Sequence, residues 1–203
     1  GIGLGALYFL VASGLSLIYG LMGVLNFAHG SFLTVGAFMG YWVATQLGPD
    51  TTMTDFILAM IVGGLAAGLF ALLIEQLLIT RLYDRHIDQA LVTVGVSLVV
   101  GAVLGGWFGN DLIMFPTPLW FLTAVNVGGA MIPADRIVYI ATAVLLLIAN
   151  WALLKFTRIG LIIRAGVENR NMVNALGINV RRAFSTVFFL GGFAAGVGGV
   201  LVS

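Results

Sequence analysis

The chain has 203 residues, of which 61% are hydrophobic and 8% are charged, whereas a soluble domain averages about 25% charged residues. With a mean hydropathy of +1.11, this composition excludes a soluble globular domain and predicts a polytopic membrane protein. The net charge of +1 offers no overall positive field for nucleic acid, and the absence of cysteine excludes disulfides and thiolate metal sites.

The first predicted element is a long apolar stretch, residues 1–47, without any Asp, Glu, Lys or Arg. As one helix it would extend about 70 Å at about 1.5 Å per residue, whereas the hydrocarbon core of a bilayer is about 30 Å thick. The stretch must therefore turn back or unwind at its polar interruption, residues 26–30. Two geometries remain open. If both halves cross the membrane, the break lies at the cytoplasmic side, and if one half is a re-entrant half-helix, the break lies deeper.

Six apolar segments of membrane-spanning length are predicted along the whole chain. They lie near residues 1–22, 30–47, 55–80, 89–108, 136–154 and 183–203. Lys and Arg occur in the connectors 81–89 and 155–182 and are absent from 48–54 and 109–135. Since cytoplasmic loops are enriched in Lys and Arg, we expect 81–89 and 155–182 to be cytoplasmic. The sequence predicts an all-α fold, a polytopic transmembrane helix bundle with a broken or re-entrant N-terminal region.

Glycine, with 28 residues, recurs at four-residue spacing inside these segments. The pairs are Gly36/Gly40, Gly64/Gly68, Gly101/Gly105 and Gly192/Gly196. Such pairs let helix backbones approach closely in lipid, where the hydrophobic effect does not drive association. All four pairs therefore predict close packing in a compact bundle.

A carboxylate falls inside the third segment. Glu75 lies near the inner end of that segment, a short helical distance from Arg81. Because a charged group in lipid is costly, we expect Glu75 to extend to the interface or to pair with an arginine, with a pathway role as the alternative.

The connector 155–182 is the long polar segment on the side predicted to be cytoplasmic. Residues 168–176 can form a short surface helix, with Glu168 in its first turn, where a negative charge suits the helix dipole, and with Gly177 at its end. A small apolar patch at i, i+3, i+4 spacing would consist of Met172, Ala175 and Leu176. Two interpretations remain open, a solvated connector that sets topology and a docking helix for a cytoplasmic partner.

Three motifs resemble a known family. Residues 19–30, Tyr-Gly-Leu-Met-Gly-Val-Leu-Asn-Phe-Ala-His-Gly, are similar to the N-terminal signature of the permease subunits of high-affinity branched-chain amino-acid (Leu/Ile/Val) ABC importers. Residues 157–160 through 177–182 resemble the cytoplasmic coupling loop of that family, and the Ala/Gly-rich residues 191–199 resemble the helix that follows it. Many relatives carry an acidic residue after the His-Gly pair, whereas this chain has Ser31.

The resemblance implies a transport subunit that is not an enzyme, and the chain has no GxxxxGK[ST] motif. ATP and Mg would be bound by partner subunits. The implied partners are two ABC ATPase subunits, a second permease subunit that is homologous or identical, an extracytoplasmic substrate-binding protein and the lipid bilayer, but no nucleic acid. We expect a multi-pass protein of the prokaryotic plasma (inner) membrane. Residues 1–203 would form a single permease domain, expected to belong to a longer protein, with 155–182 as its coupling loop.

The resemblance also assigns two groups of residues, neither of them catalytic or metal-binding. The substrate pathway or gate would contain Asn26, Phe27, His29, Gly30 and Ser31. Coupling to the ATPases would involve Glu168, Asn169, Arg170, Ala175, Gly177 and Ile178.

The break offers a physical role for the first group. After an unwound turn, the amides of Gly30, Ser31 and Phe32 would begin a helix, and such an end attracts an anionic group such as an α-carboxylate. The alternative is that the same groups cap a tight interhelical turn.

The substrates implied are branched-chain amino acids, moved by ATP-driven alternating access. Urea and short-chain amide importers have similar motifs and are the alternative substrate class. A channel or secondary transporter would place ionisable residues well inside several spans, and this sequence has almost none.

Overall fold

The computed structural model describes residues 1–48, 52–83, 85–109, 115–127 and 130–203. Within these ranges the chain forms eight α-helices, two short 3-10 helices and a two-stranded hairpin. The α-helices are α1 (Ile2–Met22), α2 (His29–Leu47), α3 (Met53–Leu77), α4 (His86–Phe108), α5 (Ala134–Phe156), α6 (Arg158–Glu168), α7 (Arg170–Ala175) and α8 (Val180–Val202). The 3-10 helices are Ile79–Arg81 and Leu119–Leu122, and the strands are β1 (Ala124–Val127) and β2 (Ala130–Pro133).

The predicted all-α polytopic bundle is confirmed. Among the described residues, five helices are long and apolar enough to span a membrane, namely α1, α3 continued through Arg81, α4, α5 and α8. The second predicted segment forms α2, which is not one of the five because polar residues such as His29, Ser31 and Gln46 lower its hydropathy. The connector 109–135 contains the hairpin, in which Val125 pairs with Ile132.

Helix α8 lies at the centre of the bundle, packed against α1, α2 and α3. The packing is close because small residues meet, as where Gly196 lies against Gly36 of α2 and Ala67 of α3. A Cβ atom at Gly196 would lie only 2.8 Å from the backbone oxygen of Gly63. Three predicted glycine pairs lie in these contacts, Gly36/Gly40, Gly64/Gly68 and Gly192/Gly196. On α4, by contrast, no other described element comes within 4 Å of a Cβ built at Gly101.

The buried apolar residues form two large clusters along α8. One cluster, which includes Leu10 and Phe56, lies towards the hairpin end, where the Phe56 and Phe115 rings are 5.8 Å apart. The other includes Phe32 and Phe188 and lies towards the opposite end. Because α8 contributes to both clusters, they hold this helix from Phe188 to Leu201.

The two Arg-containing connectors meet at one end of the molecule, called here the basic end, which consists of residues 81–89 and 155–182. The rings of Tyr83 and Phe184 lie 6.2 Å apart, and Val173 of α7 packs with Phe184 in the same cluster. Both connectors therefore lie at the same end of the molecule, as two connectors on one side of a membrane would.

The connector 155–182 contains two helices rather than one. Helix α6 ends at Glu168, and α7 begins after Asn169, whose Oδ1 accepts a hydrogen bond from the N–H of Met172 at 3.0 Å. The prediction that Glu168 lies in the first turn of the surface helix is wrong, because Asn169 is the N-cap and separates the helices. Gly177 follows α7 with a left-handed φ of 79°, so the predicted end of the helix is confirmed.

Candidate functional site

The polar interruption after α1 is an unwound segment, residues 23–28. Helix α1 ends at Gly23, whose φ is 65° and whose N–H donates to the carbonyl of Tyr19 at 2.9 Å. Beyond it, alternate residues are buried, namely Val24, Asn26 and Ala28. The residues between them, Leu25 and Phe27, are exposed. A burial period of two is that of extended chain, so this segment presents one side to the bundle and the other outward.

Helix α2 begins beside the middle of α1. The Nε2 of His29, the first residue of α2, lies 2.8 Å from the carbonyl oxygen of Val11, which is halfway along α1. The position of Gly14 in α1 adjoins both His29 and Gly191 of α8. Val11 lies about 16 Å from the end of α1 at about 1.5 Å per residue, and residues 23–28 together with the His29 side chain return over this distance. The break therefore runs back along α1, so that α2 begins beside the middle of α1.

Two hydrogen bonds hold the unwound segment. The Oδ1 of Asn26 accepts from the N–H of Ala28 at 3.1 Å, in the manner of an Asx turn. The N–H of Phe27 donates to the Oγ1 of Thr93 on α4 at 3.1 Å, and Thr93 is fully buried. The second of these hydrogen bonds attaches the first turns of α4 to the break.

Three buried side-chain atoms have no hydrogen-bond partner within the described part of the chain, and all three lie at this junction. They are Asn26 Nδ2, His29 Nδ1 and Gln89 Oε1. Gln89 is fully buried one helical turn before Thr93, and its Nε2 donates to the carbonyl of Leu82 at 2.7 Å. An unpaired buried polar atom costs about 1–3 kcal/mol, so such atoms are rare in native proteins. Their concentration here indicates a place where a polar ligand would be stabilised.

A cavity of about 320 Å³ lies beside the break. It is lined by Leu15, Ser16, Tyr19, Leu25, Asn26 and Phe27. An apolar lining with a few polar groups is typical of small-molecule sites. Of the five predicted pathway residues, Asn26 and Phe27 line this cavity. His29 and Ser31 are buried in the first turn of α2, whereas Gly30 is exposed.

The predicted coupling residues lie at the basic end. The structure places them at the α6–α7 junction, at both ends of α7 and just beyond it: Glu168, Asn169, Arg170, Ala175, Gly177 and Ile178. The predicted apolar patch is uncovered, since Met172 is 63% exposed and Leu176 is 68% exposed. Between them Val173 is buried against Val180 and Phe184, which fixes α7 to the start of α8.

The prediction for Glu75 is wrong. Its side chain is fully buried, and within the described ranges it forms no ion pair. The hydroxyl of Tyr83 donates to Oε1 at 2.7 Å, and the hydroxyl of Ser185 on α8 donates to Oε2 at 2.7 Å. The hydroxyl of Thr80 lies 3.1 Å from Oε1. Glu75 neither extends to the interface nor pairs with an arginine, because hydroxyl donors inside the bundle satisfy it.

Sequence reasoning missed two buried polar contacts, that of Thr93 with Phe27 and that of Ser185 with Glu75. The partners are 66 and 110 residues apart, so no local spacing signals them. Tyr83, in contrast, is 8 residues from Glu75 and was within reach of a local pattern.

The full chain, residues 1–203, matches the family described as "Branched-chain amino acid transport system / permease component". It is 26% identical over 210 residues to the high-affinity branched-chain amino acid transport system permease protein LivH of Salmonella typhimurium, covering 100% of this chain and 68% of that protein. It is 25% identical over 210 residues to the corresponding protein BraD of Pseudomonas aeruginosa, with the same coverage, 100% and 68%.

A third relative is archaeal, the probable branched-chain amino acid transport permease protein LivH of Methanocaldococcus jannaschii. It is 29% identical over 196 residues, which are 95% of this chain and 61% of that protein. No solved structure matches the chain. The match over all 203 residues and the five apolar helices lead to one conclusion: this multi-pass membrane protein belongs to the branched-chain amino acid transport system permease family.

Proposed function

We propose that the chain is the membrane-spanning permease subunit of an ABC importer that moves branched-chain amino acids into the cytoplasm by ATP-driven alternating access. The observation that carries the proposal is the family match over residues 1–203. The relatives described above are named for branched-chain amino acids, which favours these substrates over urea and short-chain amides.

The break between α1 and α2 is the proposed pathway or gate. Its residues are Asn26, Phe27, His29, Gly30 and Ser31. Support comes from the unpaired Asn26 Nδ2 and His29 Nδ1 and from the start of α2 beside the middle of α1. Transporters commonly bind substrate where a helix is interrupted, and a helix N-terminus attracts an α-carboxylate. The apolar wall of the neighbouring cavity suits an aliphatic side chain.

Helix α7 and its flanks are the proposed contact with the ATPase subunits. The exposed Met172 and Leu176 offer apolar surface, while the buried Val173 transfers any displacement of α7 to Phe184 of α8. The same contact would include Glu168, Asn169 and Arg170 before the patch, Ala175 within it, and Gly177 and Ile178 after it.

The remaining components follow from the same proposal. Two ATPase subunits would bind ATP and Mg, an extracytoplasmic binding protein would deliver substrate, and a second permease subunit would complete the pathway. The location would be the prokaryotic inner membrane, with 81–89 and 155–182 in the cytoplasm.

The proposal is tested by uptake into proteoliposomes. These contain the full-length subunit together with the permease, ATPase and binding protein that its neighbouring genes encode. We expect ATP-dependent uptake of labelled leucine that excess valine blocks and excess urea does not. Uptake of urea alone would replace the substrate class. Leucine transport that continues without ATP and without the ATPase subunits would contradict the importer proposal.

The pathway residues are tested in the same vesicles with Asn26→Ala. Loss of a hydrogen bond to a charged group costs about 1.5–3 kcal/mol, so we expect leucine uptake to fall by about tenfold or more. The matched control is Asn150→Ala, the same change on α5 away from the break. Normal uptake and normal assembly in both Asn26→Ala and His29→Ala would exclude these side chains from the pathway.

A further inference from the structure

The buried carboxylate of Glu75 has a position that the proposed transport role does not explain. It lies in the last turns of α3, fully buried, and accepts hydrogen bonds from Tyr83 on one oxygen and Ser185 on the other, both at 2.7 Å. A carboxylate in an apolar interior loses its hydration, so this site is expensive unless donors replace the water. Burying a charged group is also weak evidence of a purely stabilising role, because an apolar residue of similar volume often serves stability equally well.

The partners of Glu75 connect separate elements. Tyr83 follows the 3-10 helix Ile79–Arg81, and its ring packs near Phe184 at 6.2 Å. Ser185 is the next residue of α8, in the second turn of that helix. A continuous series of contacts therefore leads from Val173 of α7, through Phe184 and Ser185, to the end of α3.

The hydrogen bond from Ser185 lies at the edge of a polar cleft. This cleft, of about 340 Å³, is lined by Gln76, Asn179, Arg181, Arg182 and Ser185. If α8 moves, a serine hydroxyl at such an edge can replace its hydrogen bond to the carboxylate by one to water or to a polar side chain. The hydrogen bond of Tyr83, by contrast, closes a short loop of 8 residues after Glu75 and joins no residue of α8 to Glu75.

We propose that Glu75 is a positioning residue that holds the first turns of α8 against the end of α3 through Ser185, and that displacement of α7 enters the helix bundle by breaking or moving this hydrogen bond. The proposal rests on the coupling role proposed for α7. It assigns to Glu75 a function in the transmission of movement, and no direct contact with substrate.

The first test uses the reconstituted importer and compares Ser185→Ala with Thr186→Ala. The two hydroxyls are neighbours on α8, but the Thr186 hydroxyl donates within its own helix, to the carbonyl of Arg182 at 3.0 Å. We expect Ser185→Ala to lower leucine uptake per ATP hydrolysed by about fivefold or more while hydrolysis continues, and Thr186→Ala to leave the ratio unchanged. Ser185→Thr, which keeps the hydroxyl, should restore the ratio. An equal ratio in the two alanine variants would overturn the proposal.

The second test needs neither substrate nor ATPase. Its result can therefore be interpreted even if the import proposal fails. The chain has no cysteine, and Ile79 is fully buried beside the end of α3. In an Ile79→Cys background, the rate of labelling by a water-soluble maleimide reports opening between α3 and α8. We expect Ser185→Ala and Glu75→Gln to raise this rate by about fivefold or more and Thr186→Ala to leave it unchanged. Equal labelling rates in all backgrounds would show that the hydrogen bond does not hold α8 and would overturn the proposal.

Discussion

Helices α8 and α4 have the same length and similar glycine spacing, but they occupy opposite situations. In their most apolar stretches, 67% of α8 is buried within the chain, against 6% of α4. Helix α8 is enclosed by α1, α2 and α3, whereas α4 packs mainly against α2. The outer face of α4 carries large uncovered side chains, among them Leu98 at 71% and Trp107 at 80% exposure.

The comparison shows that a small-residue pattern permits close packing without specifying where it occurs. Gly196 meets Gly36 because α2 and α3 both present small residues at that height. Gly101 has the same backbone freedom, but within the described part of the chain no neighbouring element comes within 4 Å of its would-be Cβ. Helix α4 is held instead near its two ends, by the hydrogen bond of Thr93 and by the ring of Phe108, whose centroid lies 4.5 Å from that of Phe38.

The largest expected effect comes from filling the glycine contact of α8. In Gly196→Leu the new side chain would have to occupy the space of Ala67 and of the backbone at Gly63. Overpacking by single methylenes already costs about 1–3 kcal/mol, so we expect no folded protein to be recovered after detergent extraction. The measurement is the monodisperse fraction by size-exclusion chromatography.

The matched control for this prediction is Gly101→Leu on α4. We expect it to leave the monodisperse fraction of the isolated subunit unchanged, because the space around Gly101 is open. Equal loss of folded protein in the two variants would contradict the difference in packing between the helices.

A medium effect is expected at the first turns of α4. Thr93→Val keeps the side-chain shape but removes the acceptor of the Phe27 N–H. The Phe27 N–H would lose its partner in a partly buried position, and since a fully buried unpaired N–H costs about 1–3 kcal/mol, a cost up to that range should lower the melting temperature of the detergent-solubilised protein. Thr45→Val, where the exposed hydroxyl donates to the carbonyl of Trp42 in its own helix, should have no measurable effect. If the two variants melt at the same temperature, the attachment of α4 to the break is not made by Thr93.

The smallest effect is expected at the other end of α4. Phe108→Leu removes the ring that lies against Phe38, and an aromatic pair contributes about 0.5–1.5 kcal/mol beyond its buried area. Thermal unfolding should show a small decrease in melting temperature. Trp107→Leu, on the uncovered side of the same turn, should show less change in the isolated subunit. The opposite order would mean that Trp107, and not Phe108, fixes this end of α4.

The bundle could be largely predicted because its signals are local. An apolar segment of about twenty residues, a connector with Lys and Arg, and the polar interruption at residues 26–30 are each visible in neighbouring positions of the chain. The helices and the shared basic end therefore follow from the sequence. The end of α7 at Gly177 is equally local, since the left-handed residue is the glycine itself. The prediction for Glu168 was wrong because the side chain of Asn169 caps α7 one residue later and leaves Glu168 at the end of α6.

What could not be predicted depends on residues far apart along the chain. The point along α1 at which α2 begins depends on the contact of His29 with Val11. The burial of Glu75 depends on Ser185, which is 110 residues away in the chain. In lipid, apolar side chains gain little by facing protein instead of acyl chains, so hydropathy carries no information about which helix faces meet. Shape and buried hydrogen bonds decide that choice, and both come into being when the helices assemble.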